Sequence, residues 1–121
     1  MKMFLDKDQM SNLIKLGYNC GDSTYEYVKC GNYERIGFNG IDWYDEAIKP
    51  KEASINCVSE TIMPCYTLSD IYDKFEKNEL NGLKHDRNGW KFTSIEYNTT
   101  LKETELIDLL YQLLIKLKIS Q

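Results

Sequence analysis

One histidine and four cysteines bound the nucleophilic chemistry open to this chain. A thiol nucleophile needs a base beside it, and the only histidine is His85. It stands in the polar run His85-Asp86-Arg87-Asn88-Gly89, where Asn-Gly signals a hairpin turn because both residues accept positive φ. A histidine at such a tip faces water rather than a cysteine partner. Cys20, Cys30, Cys57 and Cys65 are separated by 9, 26 and 7 residues, and none of these spacings is the C-x-x-C pair that sets two thiolates on one zinc ion. They read as packed free thiols. Asp42, Asp45 and Glu46 surround Trp43 and Tyr44, and an acid pair beside aromatics can serve sugar hydrolysis. The simpler reading makes Asp42 a helix cap, the other two acids its first turn, and the aromatics packing residues. The seven glycines are scattered, with no G-x-G-x-x-G or G-K-[ST] string to cradle phosphate. The sequence therefore assigns no catalytic residue, no metal ligand and no cofactor.

Aromatic side chains are the more telling feature: 9 Tyr, 4 Phe and 2 Trp. Tyrosine and tryptophan enrich protein interfaces because they bring large area at low entropy cost. Tyr25, Tyr27, Trp43, Tyr44 and Trp90 form the candidate interaction surface, and the expected partner is a protein. Base stacking also uses aromatics but needs cations interleaved with them, and Trp90 to Tyr97 carries only Lys91. The net charge of −4 and pI near 5.0 further disfavour binding along a phosphate backbone. Nucleic acid is thus the weaker expectation.

Those residues must be positioned by a fold, and 121 residues support one hydrophobic core, so residues 1–121 read as a single domain. No apolar run approaches the ~18 residues of a membrane span. The start turns charged at Asp6-Lys7-Asp8, unlike a secretory signal, so the expected location is cytoplasmic, where thiols stay reduced. Asp6 and Gln9 are spaced as a capping box for a helix over 6–16 with an apolar stripe of Met10, Leu13, Ile14 and Leu16, stopped by Gly17. Ser23 to Cys30 alternates as a strand, with Gly31-Asn32 as turn and Tyr33 to Phe38 as its return. Asn39-Gly40 is a second turn. Asp42 then caps a short helix carrying Tyr44, Ala47 and Ile48, ended at Lys49-Pro50. Ala53 to Ile62 is a weaker strand closed by Pro64. Thr67 and Asp70 cap a second helix with Leu68, Ile71, Tyr72 and Phe75 on its apolar side, ended by Asn78 to Gly82. A hairpin at Asn88-Gly89 leads into a strand from Trp90 to Tyr97. Thr100 and Glu103 fit the cap of a final helix whose stripe runs Leu106, Ile107, Leu109, Leu110, Leu113, Leu114 and Leu117.

The opening Phe4-Leu5, Lys7, Gln9, Leu13-Ile14 and Leu16-Gly17-Tyr18 resembles a class of small uncharacterised proteins from prophages and mobile elements of gut bacteria. So do Tyr66-Thr67-Leu68-Ser69-Asp70-Ile71, the Trp90–Tyr97 strand, and the ending Glu105-Leu106-Ile107-Asp108-Leu109-Leu110-Tyr111 with Lys116-Leu117. The class has a Leu-Pro step after its middle helix, where this chain has Phe75-Glu76. The shared residues are caps, stripes and a strand. The resemblance implies a fold and a setting, and carries no functional residue.

The combined expectation is an α+β domain, with an antiparallel sheet of about three to five strands packed by the N- and C-terminal helices on one face. The expected function is that of a non-enzymatic interaction or accessory protein, and the resemblance implies that it belongs to a phage-like element. The alternatives are a single-strand nucleic-acid module using the aromatic strand, and a small Cys- or carboxylate-dependent enzyme. The broad leucine stripe of the last helix would also suit a homodimer seam.

Overall fold

The computed structural model describes residues 1–32, 43–50 and 57–119, with side chains for 1–28, 48 and 62–118. Helix α1 (Lys7–Lys15) begins as its spacing predicts. The Asp6 carboxylate accepts the Gln9 N–H at 2.8 Å, and the Gln9 side chain accepts the Asp6 N–H at 3.0 Å. Gly17 ends the turn at φ +90°, where a side chain would be strained. Met10 and Leu13 are buried, whereas Ile14 and Leu16 of the expected stripe face outward.

Strands β1 (Tyr25–Asn32), β2 (Trp43–Pro50) and β3 (Cys57–Cys65) form an antiparallel sheet in the order β2-β1-β3. Three expectations are corrected in it. Gly31-Asn32 is not a turn: β1 continues through both, with Gly31 opposite Trp43 and Asn32 opposite Cys57. The expected return strand at 33–38, the turn at 39–40 and the cap at Asp42 lie outside the described residues. The short helix expected after Asp42 is strand β2, because pairing with β1 outweighs a helical spacing only a few residues long. Strand β3 runs through Pro64, which stands opposite Glu26. Proline is tolerated there because β3 is an edge, where an N–H directed outward has no ladder bond to lose.

The Thr67–Asp70 box starts α2 (Leu68–Tyr72) as expected, and Ile71 and Phe75 are buried, but Tyr72 is exposed. A 3₁₀ turn at Lys77–Leu80 follows. A second antiparallel sheet is a meander of β4 (Leu83–Asp86), β5 (Gly89–Ser94) and β6 (Thr99–Glu103). The β4–β5 hairpin is where Asn88-Gly89 signals it, yet among the described residues positive φ falls at Gly89 (+119°) and not at Asn88. Strand β5 stops at Ser94 rather than Tyr97, and Thr99–Glu103 is strand where a helix cap was expected. Five residues rich in threonine pair with β5, and the helix α3 (Leu106–Leu113) starts at Glu105 without a side-chain cap bond. Leu114–Ile119 continues α3 with a wider, π-type winding.

The α+β class with antiparallel strands stands as expected, its strands divided between two sheets rather than joined in one. The core gathers Leu5, Met10, Leu13, Tyr66, Ile71, Phe75 and Phe92 around α3, whose Ile107, Leu109, Leu110 and Leu113 are wholly buried, as is Leu114 beyond it. Burying each such side chain contributes about 1.5–3 kcal/mol, so the leucine stripe is spent largely inside the chain. No helix among the described residues is long and apolar enough to cross a membrane.

Candidate functional site

Of the aromatics singled out from sequence, Tyr25 and Tyr27 lie on the first sheet and Trp90 on the second, each half-buried. Tyr25 is half-buried, its ring 5.1 Å from that of Phe4. Tyr27 packs against the core, and its hydroxyl donates to the Leu5 carbonyl at 2.6 Å. Burial pushes that phenol well above its ordinary range. Trp90 is half-buried on the second sheet, stacked on His85 at 4.4 Å. Trp43 and Tyr44 lie on β2, with side chains outside the described residues.

Several reactive groups among the described residues are buried or hydrogen-bonded. Cys20 and Cys65 are buried free thiols, and the side chains of Cys30 and Cys57 are outside the described residues. Burial pushes the Cys65 thiol up to about 11, leaving it a poor nucleophile at neutral pH. Its Sγ donates to the same Leu5 carbonyl at 3.7 Å. Buried Tyr66 donates its hydroxyl to Asp22 at 2.6 Å, and Asp22 also holds Lys74. The Lys74 ammonium stands 5.6 Å from the Tyr18 ring centre and 5.1 Å from that of Tyr66. Burial holds Lys74 below its ordinary range, with Cys20 pulling the other way. This knot of phenols, carboxylate and ammonium ties the loop before β1 to α2. Among the described residues no group of three or more His, Cys, Asp or Glu is placed to hold a metal.

An unanticipated constellation lies on the outer face of the second sheet. The register sets Lys84 opposite Lys91, and Lys91 opposite Lys102, so three exposed lysines form one rung across all three strands. Neighbouring strands are about 4.8 Å apart, so the rung spans roughly 10 Å. None of the three ammonium groups has an ion-pair or hydrogen-bond partner among the described residues. The one carboxylate of this face, Asp86, is turned to the hairpin and accepts the Asn88 N–H at 2.8 Å. Two residues further along β5, the hydroxyl-bearing Thr93 stands opposite Thr100.

The rung opens into clefts. One of about 400 Å³ is lined by Asn81, Gly82, Lys84, Lys91 and Thr93. A second, of about 520 Å³, shares Asn81, Gly82 and Thr93 and continues past Glu96 to Ile95 and Tyr97. Gly82 makes this shape: a Cβ there would lie 2.0 Å from the Thr93 carbonyl oxygen. The β5–β6 turn is well held, since Asn98 donates its N–H to the Ile95 carbonyl at 3.2 Å and takes φ +47°. Ile95 at its tip is 96% exposed.

Sequence reasoning missed this face although a signal exists. Lys84 and Lys91 are equidistant from the Arg87-Asn88 turn centre, and Lys91 and Lys102 from the Glu96-Tyr97 centre. Reading that symmetry requires knowing that Thr99–Glu103 is a strand. No protein-family model, curated protein or solved structure matches the chain.

Proposed function

We propose that this protein is a non-enzymatic interaction module that docks an acidic segment of a partner protein on the outer face of its second sheet. The observation that carries this reading is the rung Lys84–Lys91–Lys102. Like charges placed directly opposite one another on adjacent strands are destabilising, so an anionic ligand that fills the gap gains three unspent cations. A binding role, not a catalytic one, also agrees with a buried Cys65 of raised pKa and a His85 engaged with Trp90.

A polypeptide is favoured over single-stranded nucleic acid because the strand positions around the rung, Lys84, Lys91, Thr93, Thr100 and Lys102, carry cations and hydroxyls but no aromatic residue, and Trp90 is half-buried against the core. The test is titration of a fluorescein-labelled Glu/Ser peptide into the intact protein and into a Lys84→Gln, Lys91→Gln, Lys102→Gln variant. The expected result is at least about a tenfold loss of affinity in the variant and a steep salt dependence in the parent. Equal binding by both proteins would overturn the reading, as would tighter binding of an oligothymidylate than of the peptide.

A further inference from the structure

We infer that the docked segment is bipartite: carboxylates lie over the lysine rung, and a large apolar side chain about four extended residues away enters the cleft beside Ile95 and Tyr97. This rests on the reading of the rung as an acid-binding face and specifies its partner. The first argument is continuity. The two clefts share Asn81, Gly82 and Thr93, so a chain leaving the rung at Lys91 passes directly into the second. The second is distance. Lys91 and Thr93 are successive outward positions of β5, Ile95 follows in the turn directly after the strand, and four residues of extended chain cover about 13 Å.

The third argument is the character of the far end. Ile95 is 96% exposed and Tyr97 42% exposed, both within one four-residue turn. That turn is braced by the Asn98 N–H on Ile95 and by the Tyr97 N–H, which donates to the Ser94 hydroxyl at 3.3 Å. An apolar side chain held out on a rigid turn loses little freedom when it is covered, which is the condition for an anchor contact. Charge complements this. Glu96 stands in the same turn without an ion-pair partner among the described residues, so acidic residues of the ligand are repelled from that end. The face thus attracts carboxylates at one end and excludes them at the other, which fixes the direction of the bound segment.

The experiment compares three labelled peptides on the full chain: an acidic Glu/Ser peptide, the same peptide with Phe four residues beyond its last Glu, and one with Phe directly after it. The four-residue spacing is expected to improve affinity about tenfold over the plain peptide, and the adjacent Phe much less. Ile95→Ser should abolish the gain while leaving plain-peptide binding unchanged; circular dichroism confirms folding of this surface variant. No gain from the spaced Phe, an equal gain from both placements, or a gain that survives in Ile95→Ser would overturn the bipartite ligand while leaving the acid-binding face intact. Failure of all three peptides to bind would remove both.

Discussion

The two faces of the second sheet differ by one residue in register and by nearly everything else. Leu83, Phe92 and Leu101 form one rung and point to the core; Lys84, Lys91 and Lys102 form the rung beside it and face water. The same backbone hydrogen bonds support both. The inner rung stabilises by removing apolar surface from water, while the outer rung sets like charges side by side with no ion-pair partner among the described residues. The contrast teaches that the sheet is held from inside and that its outer face is free to serve something else.

This contrast can be broken most strongly from within. Phe92 is 2% exposed, and Phe92→Ala is expected to cost about 3–5 kcal/mol, seen as a lowered denaturant midpoint. A loss below about 1 kcal/mol would mean that the sheet does not depend on its inner face. The outer rung should respond in the opposite direction. Lys91→Gln removes the central charge and should raise stability by about 0.2–1 kcal/mol at low salt, an effect that fades as salt screens the parent. A destabilised variant would show that the rung is a structural element.

The smallest effect concerns a charge that neutral hydrogen-bond donors hold, the Asp70 carboxylate. Burial alone would raise the Asp70 carboxyl, but hydrogen bonds from the Thr24 hydroxyl and N–H and from Thr67 hold it below its ordinary value of 3.8. A carboxylate depressed on folding stabilises fully above its unfolded pKa and loses that contribution as pH falls through the folded one. Stability of the parent should therefore decline below about pH 4, and Asp70→Asn should flatten part of that decline. The same sensitivity in both proteins would show that Asp70 is not the group responsible.

Local signals in the sequence match the structure where the physics is local. The Asp6–Gln9 and Thr67–Asp70 boxes need only a three-residue spacing, and Gly17 needs only a left-handed conformation; all are present. The errors cluster where a distant strand decides. Trp43–Pro50 has a spacing compatible with a helix, and Thr100 with Glu103 matches a cap, yet both segments are strands because β1 and β5 offer them ladder bonds. Missing β6 hid the third lysine of the rung, so the candidate face was illegible even though each lysine was in plain view.

By itself the sequence determined the starts of α1 and α2, the leucine stripe of α3 and the β4–β5 hairpin, because each depends on residues within about a turn of one another. Only the tertiary structure decided which strands pair, that they divide into two sheets, and that Lys84, Lys91 and Lys102 meet on one rung. Register is a property of two segments at once, and a single-residue slip would turn those lysines toward the core.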